Sequence, residues 1–402
     1  MEHRLYSHLT LGECEKNCAE IDLDALCENY RLLCRVLPAD GSCQPIAVVK
    51  ADAYGHGAPA CVSALLAAGC RFFAVATLGE ALAVRCVTDA ACVEAEILIL
   101  GYTDPAHAEQ LAAHRLLQAL LSDAYARRLA EAARAAGATV RVHVALDTGM
   151  GRIGLPALEA CDAQRAADTI ATLVADPALS VEGMFSHFST ADEPQSDPAR
   201  EQTALQSARF FAVKQALEAR GIFLKTLHLC NSAGMLWRPG DHLDAVRMGL
   251  SLYGVSPYPG AVEGLRPVMR LVSTVVHLAE LPAGASLGYG ADFRADSPRV
   301  IATLPIGYAD GFLRAYRHAR VTLHTQKGDV RVPIVGRICM DQCMLDVTGT
   351  AAAVGDRVTL FGAKPGELER LALAAGTIPY EVLTSVSARV VRVPFSKNRK
   401  DC

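Results

Sequence analysis

At 402 residues the chain is longer than one hydrophobic core supports, so two domains are expected. Apolar residues make up 51% and charged residues 20%, which supplies a sizeable core and excludes wholesale disorder. The net charge is −4 and no Lys/Arg block interleaves with aromatics, which argues against nucleic acid or an anionic membrane surface as the partner.

The opening M-E-H-R-L-Y-S-H-L-T lacks the continuous apolar stretch of a signal peptide. No uncharged apolar run reaches the ~18 residues of a membrane span, so a cytoplasmic location is expected. Fourteen cysteines are scattered along the chain, and in a reducing compartment they are expected to be free thiols acting as small apolar side chains. Cys14/Cys18 and Cys339/Cys343 stand four apart, but no nearby ligand pair completes a zinc set, so no metal is expected.

Residues 1–17 read as an N-terminal extension, followed by an early strand at 18–23 that could pair with the second domain. Strand-like runs then fall at 45–51, 72–77, 97–102, 117–122, 141–147, 181–188, 225–231 and 245–249. Helical patterns lie between them, as at 58–68, 123–136, 158–175 and 200–220. Eight strands alternating with helices match a (β/α)8 TIM barrel over 18–266, although alternation alone leaves a doubly wound open sheet possible. Past Pro267 the pattern becomes closely spaced strands at 271–279, 300–304, 321–324, 330–335, 344–347 and 357–361. One helix is expected there, near 366–375. The fold class is therefore α/β, a barrel followed by a mostly-β C-terminal domain over 267–402.

The strand ends carry the chemistry. A-V-V-K-A-D-A-Y-G-H-G puts Lys50 at the carboxyl end of the first strand, where barrel active sites lie. A lysine there either snorkels to solvent or forms a Schiff base in a partly desolvated mouth. The fifth strand leads into D-T-G-M-G-R-I-G with Arg152, and the sixth into F-S-H-F with His187. The seventh leads into C-N-S-A-G with Asn231 and Ser232, and the eighth into V-R-M-G-L-S with Arg247, Gly249 and Leu250. Barrel phosphate sites form after strands seven and eight, where Ser232 offers a hydroxyl and Gly249–Leu250 offer backbone N–H groups. Singly, His187 reads as a core histidine, Arg247 as an ion-pair partner and Gly249 as a turn glycine. Together on one face, these groups describe a pyridoxal phosphate site.

Over residues 19–393 the chain resembles the alanine racemases. The resemblance rests on V-V-K-A-D-A-Y-G-H-G, D-T-G-M-G-R-I-G, H-L-C-N-S-A-G, V-R-M-G-L-S-L-Y-G, S-L-G-Y-G, L-P-I-G-Y-A-D-G-F and V-G-R-I-C-M-D-Q. It implies pyridoxal 5′-phosphate as cofactor and interconversion of L- and D-alanine, supplying D-alanine for peptidoglycan. Lys50 and Tyr289 become the two catalytic bases, one on each face of the substrate. A tyrosine ionises near ~10 when unperturbed, so as a base it must be tuned by cations or hydrogen bonds.

By the same resemblance Arg247 faces the pyridine nitrogen, His187 supports the ring and Arg152 meets the phenolic oxygen. Tyr54, Ser232, Gly249, Leu250 and Tyr380 hold the phosphate, with Asn231 in the same cofactor-binding segment. Arg152, Tyr308 and Met340 are assigned to the substrate. Tyr289 and Met340 would reach the opposite subunit's site, which implies a homodimer. Where relatives often carry a carbamylated lysine beside the arginine, this chain has Ala145, so a small anion or nearby carboxylate is expected to balance Arg152. A serine-preferring or broad-specificity racemase, a non-catalytic pyridoxal phosphate-binding barrel and a pyridoxal-dependent decarboxylase are the alternatives. Tyr380, Asn231–Ser232 and the second domain carrying Tyr289 favour alanine racemisation.

Overall fold

The computed structural model describes residues 17–396. Of the expected N-terminal extension only Asn17 falls inside that range. Two sheets dominate, one closed and parallel, one open and mostly antiparallel.

The barrel strands are Gln44–Val48, Phe72–Val75, Glu96–Ile99, Leu117–Leu120, Val140–Asp147, Leu179–Phe185, Thr226–His228 and Ala245–Met248. All pair in parallel, and the last closes onto the first through Met248 opposite Ala47. That closure decides between barrel and open sheet. Phe72–Val75 and Leu117–Leu120 are buried at every position, as strands with helices outside and side chains inside must be. Helix Asp123–Ala135 shows how the outer layer forms: Ser122 accepts from the N–H of Tyr125, and Tyr125, Ala126, Leu129, Ala130 and Ala133 make one buried face.

Six strands end two to three residues earlier than the expected 51, 77, 102, 122, 188 and 231. The apolar runs continue, but the chain leaves the ladder to build the barrel mouth. Helices Leu23–Cys34 and Leu78–Ala90 add to the helices named from sequence, the second lying between strands as the alternation expects.

The second sheet runs His277–Leu281, Arg299–Leu304, Cys343–Asp346, Gly328–Val335, Arg320–Thr325, Arg357–Phe361, Met269–Thr274, Cys18–Asp22 and Val391–Phe395 in spatial order. The expected strand 271–279 is two, Met269–Thr274 and His277–Leu281. The single expected helix is joined by a second, Pro379–Ser385, whose seven residues are too few to show a period. Cys18–Asp22 pairs antiparallel with Met269–Thr274 and parallel with Val391–Phe395. The chain thus starts in the second sheet before entering the barrel. Asn29 secures the junction, donating to the carbonyls of Leu252 and Arg266 and accepting from the N–H of Arg266. Gly254, at φ +84°, lets the chain pass where a Cβ would stand 1.9 Å from the Arg266 carbonyl oxygen.

Among the described residues every cysteine is a free thiol, and no helix is long and apolar enough to cross a membrane. His56 and His143 are buried, and burial pushes both imidazoles down to about 4 from 6.5. Their folded values are depressed, so the unfolded chain takes up protons that the folded chain refuses. Stability should therefore fall as pH drops from 6.5 towards 4, and hold above 6.5. Urea unfolding across that window should show the slope, and His56→Asn, which keeps a donor at the Nδ1 position, should flatten part of it. An unchanged slope in the variant would contradict this account.

Candidate active site at the barrel mouth

Lys50 lies just beyond the first barrel strand and opens a turn of unusual hand. Ala51, Asp52, Ala53 and Tyr54 all have φ between 52° and 55°, a left-handed turn made entirely of non-glycine residues. Each such residue costs roughly 1–2 kcal/mol, so the surroundings must hold the turn. Glu80 Oε1 accepts from the N–H of Ala51 at 2.7 Å, and Asp52 Oδ1 accepts from that of Ala58 at 2.6 Å. His56 Nδ1 donates to the carbonyls of Ala53 and Tyr54, and Arg392 donates to that of Gly55. Glu80 also accepts from Ala76 and Thr77 through Oε2, joining the starts of two loops. The Lys50 ammonium is depressed by burial first, then by Arg152 and Arg247, with Glu80 opposing. Burial beside two arginines favours the uncharged amine relative to an exposed lysine.

Strand ends beside the Lys50 turn supply a cradle that includes Tyr54 of that turn. The Gly249 N–H donates to Ser232 Oγ at 2.8 Å, and a Cβ on Gly249 would stand 2.8 Å from the Tyr54 hydroxyl. Leu250 begins a short turn of helix, so its N–H has no partner within that turn. Asn231 caps helix Ser232–Trp237, with Oδ1 accepting from the Gly234 N–H at 2.9 Å. Its side chain therefore shapes the loop. Tyr380, on the helix Pro379–Ser385, brings its ring within 5.9 Å of Tyr54, and Tyr253 stands 4.8 Å from Tyr54 on another side. The second domain touches the site here, where a Cβ on Gly55 would meet the Leu383 carbonyl oxygen at 2.6 Å.

Arg247 sits buried at the centre. Nη2 donates to the carbonyls of Ser186 and Leu229 and contacts His187 Nδ1 at 3.2 Å, while Nη1 donates to the His228 carbonyl and to His228 Nδ1 at 2.7 Å. No carboxylate pairs with it among the described residues. Burial pushes its guanidinium down to about 10. The His187 imidazole is held well below its ordinary value by burial and by Arg247, Arg152 and Lys50.

Arg152 follows the loop that Asp147 ties, with Oδ1 accepting from Gly149, Met150 and Gly151. Among the described residues no carboxylate pairs with Arg152, and Ala145 packs in an apolar cluster with Ala119 and Phe185. That leaves the carboxylate version of the Arg152 balance without a candidate.

Tyr289, Tyr308 and Met340 stand apart, on the surface of the second domain. Tyr308 and Met340 are brought together, the Ala309 N–H donating to the Met340 carbonyl at 3.0 Å. Tyr289 is 70% exposed and Met340 54%, far more than side chains completing a site within one chain would be. Two side chains that matter locally escaped the sequence reading. Glu80 could have been found from T-L-G-E, a capping-box spacing, and His228 from its place two residues before Cys230 on an inward strand.

Glu80→Ala should destabilise the protein by about 2–3 kcal/mol, because several N–H groups lose a charged acceptor. Chemical denaturation measures this. A loss below about 0.5 kcal/mol would mean that the left-handed turn does not depend on Glu80.

Comparison with known proteins agrees over nearly the whole chain. Residues 21–257 match the sequence model of the alanine racemase N-terminal domain, and 268–394 that of the C-terminal domain. The alanine racemase of Desulfovibrio desulfuricans is 42% identical over 381 residues, covering 93% of this chain and 97% of its own. That of Clostridium tetani is 39% identical over 385 residues, covering 93% and 94%. Among solved structures, alanine racemase from Streptomyces coelicolor superposes with a TM-score of 0.86 at 34% identity, covering 96% of this chain and 99% of that one. The Bacillus anthracis alanine racemase with bound L-Ala-P gives 0.83 at 31%, covering 95% and 96%. The chain belongs to the alanine racemase family.

Proposed function

We propose that the chain interconverts L- and D-alanine in the cytoplasm with pyridoxal 5′-phosphate in the barrel mouth, supplying D-alanine for peptidoglycan. The observation that carries the cofactor reading is the cradle at Gly249. A side chain there would fill the space bounded by Tyr54 and Ser232, which suits a phosphate approached by backbone N–H groups. Lys50, depressed by burial and two arginines, suits attachment of an aldehyde. Such a cofactor would supply an electron-withdrawing group that makes the substrate α-hydrogen more acidic.

This chain's own residues then divide the work. Lys50 Nζ exchanges a proton with Cα on one face, and Tyr289 Oη of a second copy does so on the other. Tyr54, Ser232, Gly249, Leu250 and Tyr380 hold the phosphate, and Asn231 keeps the loop that presents Ser232. Arg247 offers only N–H donors, so it would meet the ring nitrogen as a donor and disfavour its protonation, which would limit charge delocalisation and favour return of the proton to Cα. His187 would lie against the ring, Arg152 would orient the phenolic oxygen, and Tyr308 with the Met340 backbone would receive the substrate carboxylate. The exposure of Tyr289 and Met340 favours a homodimer with shared sites, because neither side chain completes a site in its own chain.

Tyr289→Phe should lower turnover by about 10²–10⁴ while the cofactor stays bound, and should impair exchange from L-alanine more directly than from D-alanine. Wild-type rates in that variant would remove Tyr289 from the mechanism. Lys50→Ala should abolish the visible absorbance of the attached cofactor. Mixing the two inactive variants under subunit exchange should restore roughly a quarter of wild-type activity through one intact site per hybrid dimer. No recovery in a demonstrated hybrid would contradict shared sites.

A further inference from the structure

The end of the barrel opposite the mouth opens into a cavity of about 740 Å³, lined by Arg71, Arg85, Arg141, Glu96, Glu182 and His143 among others. Arg141 is already committed, forming paired contacts with Glu182 on the adjacent strand and with Glu96 two strands away. His143 is not. Its Nδ1 lies 2.9 Å from His228 Nε2, and its Nε2 has no protein partner among the described residues. Gly183 leaves room for the ring, since a Cβ there would stand 2.7 Å from its Cε1 and Nε2.

The contact between the two imidazoles has a direction, and Arg247 sets it. A guanidinium only donates, so His228 Nδ1, 2.7 Å from Arg247 Nη1, must be the acceptor and carry no proton. Neutral His228 then holds its proton on Nε2 and donates it to His143 Nδ1. That nitrogen must likewise be bare, which places the His143 proton on Nε2, opening on the cavity. Neither ring can take a second proton without facing one N–H against another. Burial keeps both rings neutral, with Arg141, Glu96, Glu182 and Lys225 as the charges around His143. Stacking of His228 on Phe185, 5.0 Å between centroids and 8° from parallel, fixes the plane of the middle ring.

We propose that His143 is a positioning residue for Arg247, the terminal acceptor of a one-way donor chain, Arg247 to His228 to His143, that holds the guanidinium from the basal end of the barrel. The proposal rests on the reading of Arg247 as the residue facing the cofactor's ring nitrogen. With an acceptor missing at position 143, the His228 N–H is orphaned in a buried place. The ring that orients Arg247 then has an incentive to turn.

The test starts with the full-length protein carrying ¹⁵N-labelled histidine, without and with pyridoxal phosphate. Ring-nitrogen shifts at pH 7 should show the Nε2–H tautomer for both His143 and His228. A proton on Nδ1 of either ring, or a doubly protonated ring, would overturn the donor chain. His143→Leu should weaken pyridoxal phosphate binding about tenfold and raise pyruvate formed per racemisation by a similar factor. His143→Asn, whose Oδ1 replaces the Nδ1 acceptor, should stay within about threefold of wild type on both measures. Leu and Asn variants that move together, or a Leu variant equal to wild type, would overturn the proposal. If Arg247→Lys also left the pyruvate ratio unchanged while the tautomers held, the fault would lie in the reading of Arg247 itself.

Discussion

A buried guanidinium without a carboxylate partner is the constraint around which the barrel mouth is arranged. Taking a cation out of water is costly unless its donors are satisfied. Arg247 meets this condition with main-chain carbonyls of Ser186, His228 and Leu229 and with two imidazole nitrogens. Those carbonyls belong to the ends of the sixth and seventh strands, so placing the arginine requires the strand ends to be in register. Burial first, and then this same cation, lowers the pKa of His187 and of His228, and the cation also helps depress Lys50. One residue thus ties the charge state of the pocket to the closure of the barrel.

Lys50 is the second fixed point, and it is fixed by strain held in check. Four consecutive left-handed residues are tolerated because Glu80, Asp52, His56 and Arg392 take up the backbone groups the turn exposes. Arg392 lies on Val391–Phe395 of the second sheet, opposite Ala19 of Cys18–Asp22. The geometry of the lysine therefore depends on both domains. Tyr380 enters from the same side, whereas Tyr289 and Met340 point away into solvent. Each chain carries the polar cradle at its own barrel mouth and, apart from it, an exposed surface bearing the other proposed base.

Much of this was legible in the residues. Polar side chains at the carboxyl ends of alternating strands located the mouth, and Lys50, Arg152, His187, Ser232 and Arg247 all stand there. The hand of the turn after Lys50 was not legible, because A-D-A-Y contains no glycine to signal positive φ. Asn231 read as a cofactor-binding residue, and the structure gives its side chain a capping bond that motif spacing does not distinguish from ligand contact. The contact of His143 with His228 depends on the register of strands far apart in sequence, which alternation does not encode. Helix Pro379–Ser385 is too short to show a period, although Pro379 marks its first turn.

The central claim is that the mouth removes and returns one hydrogen at Cα without preference for the hand of the product. Proton spectra of alanine in D₂O with the purified protein and pyridoxal phosphate, paired with chiral chromatography of the same samples, test it most directly. Starting from either enantiomer, deuterium should enter at Cα, and the two enantiomers should reach equal amounts, as mirror-image molecules must at equilibrium. Exchange confined to one enantiomer with no inversion, or steady conversion of alanine to another compound, would contradict the account.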